Sequence, residues 1–263
     1  MKKLVFIEGI SGVGKSTVTQ KLCDKLRDMG LYADCFLEFD YKNPIDFYCT
    51  AYFTEDEYKS LFELYSESTE MILRNTFVIE GVRLVRYYSK TKPLFSEPLI
   101  GILKKHEFCY NPTNLVPFSE YSRVYRLIWE RFSQNAVDRP DYLLFDGSLL
   151  FHPLNDMMRN YDITPEQAAV HVNTLIKTIE TFSAQIIYLS SGNVAERLQR
   201  ARISRNESPP SEEQIQFWLK RKHMDLSVIQ NLLIHYDMID VSKENWDYLI
   251  DIMLQHILET GRE

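Results

Sequence analysis

Leu4-Val5-Phe6-Ile7 leads into Gly9-Ile10-Ser11-Gly12-Val13-Gly14-Lys15-Ser16-Thr17, an apolar strand feeding a complete G-x-x-x-x-G-K-S loop. Consecutive backbone N–H groups can wrap a triphosphate only where no Cβ crowds the turn, and Gly9, Gly12 and Gly14 supply that freedom. Lys15 brings a point charge to the β/γ-phosphates and Ser16 offers a hydroxyl to a divalent cation. The helix that opens there turns its positive end to the anion. Val18, Leu22, Leu26 and Met29 follow at helical spacing, and Gly30 stands where a terminating glycine belongs. Gly9, Ser11, Gly12, Val13, Gly14, Lys15, Ser16 and Thr17 are therefore the candidate nucleotide-binding residues.

A length of 263 residues fits one enlarged α/β domain, and 45% hydrophobic residues suffice for a large core. The net charge of −7 argues against a protein that tracks a nucleic-acid polymer, because each phosphate contact there needs a cation. Cys23, Cys35, Cys49 and Cys109 share no C-x-x-C spacing and read as reduced, packed thiols of a cytoplasmic protein. Behind Met1-Lys2-Lys3 the apolar stretch is too short for a signal sequence, and no run is long enough for a membrane helix. The six histidines are scattered without pairing that would predict a zinc site.

Tyr32 to Leu37 reads as a second strand ending in Glu38-Phe39-Asp40, where parallel sheets place their ligands. Further strands are expected at Tyr142–Asp146, Ile186–Leu189 and Tyr236–Val241. Helices start at the capping boxes of Thr54 and Thr164 and at Ser211-Glu212-Glu213-Gln214, and a last one carries Trp246 to Ile257. Five strands separated by helices predict a mostly parallel sheet covered on both faces. The stretch 42–137 is too long for an ordinary connection and predicts an inserted, largely helical cap over the ligand; it includes a candidate hairpin at Phe77–Val85.

Asp146 ends an apolar strand, the form of a second metal-binding motif whose carboxylate joins Ser16 around Mg²⁺. Glu80, after Phe77-Val78-Ile79, has the same form and is the competing choice. Arg197, Arg200, Arg202 and Arg205 lie near the end of a helix starting at about Asn193, followed by Ser208-Pro209-Pro210. Guanidiniums keep their charge and chelate oxygens in pairs, so 197–211 reads as a basic lid. Arg83 and Arg86 are candidates for an anionic acceptor. His152 reads as a packed residue at a helix start.

Ile187-Tyr188-Leu189 through Ala195-Glu196-Arg197-Leu198, Arg200, Arg202, Arg205, Asn206 and Glu207, with Phe217-Trp218 and Lys222-His223 beyond, resembles the lid region of deoxynucleoside and thymidylate kinases. With the glycine loop and Glu38, residues 1–40 and 141–260 are similar to that branch of the phosphate-loop kinases. The resemblance implies a five-stranded parallel sheet, ATP as donor and an arginine lid over the phosphates, with Arg197 on the nucleotide and Arg202 and Arg205 catalytic. It also implies a carboxylate after the second strand that accepts the acceptor's proton: Glu38, with Asp40 in reserve. Deoxynucleoside kinases usually carry Glu-Arg-Ser after the third strand, whereas this chain has Asp146-Gly147-Ser148. The expectation is an ATP- and Mg²⁺-dependent kinase of a nucleoside or nucleotide. Kinases of other metabolites or antibiotics and a non-catalytic ATP-binding regulator remain alternatives. A small-molecule acceptor is expected as partner, neither nucleic-acid polymer nor membrane is, and a homodimer stays open.

Overall fold

In a computed structural model, residues 2–89, 92–136, 140–243 and 245–260 are described. Met1 and Val137, the last residue of the expected insertion, lie outside them. The chain divides into two compact units, Met1–Glu38 with Ser133–Glu263, and Phe39–Phe132.

The first unit is built on β1 (Lys3–Glu8), α1 (Lys15–Asp28), β2 (Ala33–Phe36), β3 (Tyr142–Asp146), α2 (Phe151–Asn160), α3 (Pro165–Thr178), β4 (Ser183–Ser190), α4 (Val194–Ser204), α5 (Glu212–Ile229), β5 (His235–Asp240) and α6 (Trp246–Glu259). Its five strands run in the order β5-β4-β1-β3-β2, every pair parallel. β1 is central and Leu4 to Ile7 are fully buried, as expected of a strand covered on both faces. The register sets Phe6 beside Phe145 and Phe145 beside Phe36. Their rings stack across three strands at 5.3 and 5.2 Å. On the opposite face Val5 and Ile7 share a core with Val18, Leu22 and Leu26 of α1 and Ile250, Met253 and Ile257 of α6. This is the predicted α/β architecture.

Local signals in the sequence are reproduced where they depend on few residues. At the end of α1, Gly30 has φ 77° and Leu31 N donates to Leu26 O at 3.0 Å. This left-handed residue satisfies carbonyls the helix leaves bare. Thr54, Thr164 and Ser211 each form the reciprocal capping box, and Asn193 caps α4 by accepting from Glu196 N.

The second unit carries helices Glu55–Leu64, Thr69–Arg74, Glu97–Lys105 and Phe118–Gln134; the last helix extends two residues beyond the unit's boundary. It also carries a three-stranded antiparallel sheet of Thr50–Phe53, Val82–Arg86 and Thr76–Ile79. The hairpin expected at Phe77–Val85 forms, with Glu80 at φ 38° and Gly81 at φ 82° in its two-residue turn. Glu80 therefore sits on an exposed hairpin tip, 3.9 Å from Arg123, rather than at the end of a parallel strand. Arg83 pairs with Glu55 at 2.5 Å. Arg86 is turned inward, and burial lowers its pKa while it donates to Asp46 O at 2.9 Å.

No described helix is long and apolar enough to cross a membrane. Cys23, Cys49 and Cys109 are buried free thiols and Cys35 is half-buried.

Candidate active site

The loop after β1 closes on its neighbours wherever a side chain is missing. A Cβ on Gly9 would meet Leu189 O at 2.5 Å, and one on Gly12 would meet Arg197 O at 2.7 Å. Their φ angles of 136° and 85° are left-handed too, so both the space and the backbone demand glycine. Val13 is buried in the core, which anchors the loop from beneath.

A cleft of about 440 Å³ opens over this loop, lined by Ser11, Gly12, Gly14 to Thr17, Glu38, Phe151, Arg200, Ala201, Ser204 and Arg205. Lys15 is buried, with Nζ donating to Ile10 O at 3.2 Å and lying 3.6 Å from the centre of the Phe151 ring. Desolvation lowers its pKa, against the pull of Asp146, Glu38 and Glu8. Apart from this pull on Lys15, the side chain of Glu38 makes no hydrogen bond or ion pair among the described residues. Its backbone N–H donates to Asp146 Oδ2 at 3.2 Å. Asp40 instead caps a turn, accepting from Lys42 N at 2.9 Å.

The residues fit Mg²⁺ and a triphosphate. Asp146 is 1% exposed, yet its Oδ1 has no hydrogen bond among the described residues. A bare buried carboxylate oxygen is costly unless something binds it. Carboxylate and hydroxyl oxygens are the hard donors Mg²⁺ prefers, and Asp146 and Ser16 would hold it. No larger cluster of His, Cys, Asp or Glu suited to a metal exists among the described residues.

The lid arginines divide by partner. Arg197 is 8% exposed, donates to Val241 O and lies 5.9 Å over Trp246; it does not line the cleft. Arg200 pairs with Glu196. Arg202 donates to Ser208 O at 2.5 Å and to Gln214 Oε1 at 3.2 Å, tying the 205–211 loop together. Only Arg205, of these four, has a side chain with no hydrogen bond or ion pair among the described residues.

Glu8, which the sequence reading passed over, is fully buried at the end of β1. Its carboxylate accepts from Leu149 N, Leu150 N and Phe151 N at 2.9, 3.1 and 2.9 Å. The available signal was a charge inside a buried strand, which must find partners. Burial raises its pKa to about 7, partly offset by those three N–H groups and Lys15. The native chain therefore holds a proton that the unfolded chain, with a value near 4.5, has lost. Stability from this group is present at low pH and falls as pH rises from about 4.5 to about 7, by about 3 kcal/mol. Denaturation midpoints across pH 4.5–8 should show this extra slope in the wild type. Glu8→Gln should remove it; an identical slope in both chains would refute the assignment.

A parallel five-stranded sheet thus carries a strand–G-x-x-x-x-G-K-S–helix unit at its centre, an α/β architecture with a phosphate-loop motif. A solved structure, the shikimate kinase of Bacteroides thetaiotaomicron, is similar over 98% of this chain and 98% of that one, with 11% sequence identity and a TM-score of 0.40. No protein-family model and no curated protein matches the sequence.

Proposed function

We propose that this chain is an ATP-dependent small-molecule kinase, with a nucleoside or nucleotide as the acceptor class. The observation that carries it is the convergence in one cleft of the glycine loop, Lys15, a carboxylate at Glu38 and a guanidinium at Arg205 that make no hydrogen bond or ion pair among the described residues. A nucleotide-binding switch needs the first two; transfer to an acceptor uses all four. Phosphoryl transfer is mainly positioning and charge stabilisation. Lys15 and the loop N–H groups hold the donor phosphates, Glu38 takes the acceptor's proton, and Arg205 closes on the transferring group. Mg²⁺, when held by Ser16 and Asp146, supplies neutralising charge between the phosphates. A coupled ADP-release screen across nucleosides, nucleotides and common metabolites tests the reading. Strong stimulation by one compound supports it; ATP binding with no stimulated turnover points to the regulator.

The lid arginines are expected to behave unequally. Arg205→Ala should lower kcat on the order of 10²-fold with little change in KM for ATP, and Arg205→Lys should rescue poorly. Arg202→Ala should loosen the 205–211 loop, seen as faster amide exchange there, with a smaller loss of kcat. Equal kinetic losses would mean that the hydrogen bonds of Arg202 open on closure and both guanidiniums reach the phosphates.

A further inference from the structure

The turn between β3 and α2 is held from both of its backbone sides. Glu8 receives the N–H groups of Leu149, Leu150 and Phe151. On the carbonyl side, Arg221 Nη2 donates to Leu150 O at 3.1 Å and Nη1 to Phe151 O at 3.1 Å. Arg221 is fully buried, and its charge is met by Asp225 at 2.7 Å, which also accepts from Tyr188 OH at 2.9 Å. α2 has no capping side chain of its own, so Glu8, from another strand, serves the bare N–H groups at its start.

This clamp orients one ring. Phe151 is 6% exposed and stacks on Trp218 with centroids 5.7 Å apart and planes 4° apart. Its side chain is pressed against Gly147, where a Cβ would meet Phe151 Cβ at 2.9 Å. The ring face lies 3.6 Å from Lys15 Nζ. An ammonium has three donors, and among the described residues this one makes a single hydrogen bond, to Ile10 O, a carbonyl of the loop that Lys15 serves. An aromatic face attracts a desolvated cation without consuming a directional donor as a carboxylate would.

We propose that Phe151, fixed by the Glu8–Arg221 clamp and Trp218, is a positioning residue that seats the Lys15 ammonium at the mouth of the phosphate loop. The inference rests on the reading of that loop as the donor-phosphate site. The ring keeps the ammonium over the loop before the nucleotide arrives, so less freedom is lost on binding. The Glu8 and Arg221 contacts act through the ring and not on the phosphates.

The test is a double-mutant cycle on the full chain, with ADP affinity read by calorimetry and folding by thermal melting. Phe151→Leu should weaken ADP binding roughly tenfold, equivalent to about 1.4 kcal/mol, while Phe151→Tyr stays within about threefold. In a Lys15→Ala background, Phe151→Leu should change ADP affinity less than about twofold, because the group that the ring positions is gone. Where Leu unfolds the chain, Phe151→Met, whose unbranched side chain adapts to irregular gaps but has no ring, completes the same cycle. An equal loss with and without Lys15, or wild-type ADP affinity in a folded Leu or Met variant, would overturn the proposal. A wild type that binds no ADP would overturn the reading of the loop, and the inference with it.

Discussion

Lys15→Ala should lose binding of Mg·ATP by a factor on the order of 10²–10⁴, since charge-assisted hydrogen bonds contribute about 1.5–3 kcal/mol each and two phosphate groups lose theirs. Turnover should vanish with it. Folding should not suffer, because burial already disfavours the charged form of this lysine and lowers its pKa. An alanine in its place removes an ammonium that had to leave water, although Asp146, Glu38 and Glu8 lose a nearby cation. Calorimetry with ATP and a thermal melt of the same sample decide the matter. Wild-type affinity in a well-folded variant would show that the loop does not bind phosphates.

Glu38→Gln should bind ATP normally and lose phosphoryl transfer to a hydroxyl acceptor by about 10²–10⁴-fold, the usual contribution of a positioned base. Glutamine keeps the size and most of the hydrogen bonding but cannot take a proton. Glu38 lines the cleft with its side chain free of hydrogen bonds and ion pairs among the described residues, whereas the Asp40 carboxylate accepts from Lys42 N at 2.9 Å and holds a turn. Asp40→Asn is accordingly expected to cost little. Full turnover in Glu38→Gln with loss in Asp40→Asn would transfer the role to Asp40. Full turnover in both would indicate a phosphate acceptor, which needs no base, and would move the reading from nucleoside to nucleotide kinase.

The glycine loop, the ends of α1, the capping boxes at Thr54 and Thr164, the helix start at Ser211 and the Glu80-Gly81 hairpin were legible because each is specified within a few residues. A positive φ, a side chain three positions from its cap or an apolar run before a glycine is visible without knowing what packs nearby. Asp146 was legible for the same reason, as a carboxylate ending an apolar strand. Glu80 ends an apolar run too, and what set it behind Asp146 in the sequence was its place beside the candidate hairpin. Antiparallel pairing puts the former on an exposed turn, and parallel pairing with β1 puts the latter in the interior.

Four arginines in the 197–211 segment were legible as a basic cluster, but their division of labour was not. Which guanidinium faces a carbonyl and which faces the cleft depends on how α4 and its loop pack against α5 and the strand after it. Arg197 turns to Val241 O and Arg202 to Ser208 O and Gln214, which leaves Arg205 uncommitted.

The sequence by itself determined that a strand, a phosphate-type loop and a helix follow one another at the start of this chain, because backbone conformation there is dictated by neighbouring residues. Only the tertiary structure decided that Glu8 and Arg221, 213 positions apart, hold opposite sides of one turn and aim Phe151 at Lys15. Burial obliges each charge to find a partner, but local sequence does not say which one. The parallel register of the sheet and the packing of α5 make that choice.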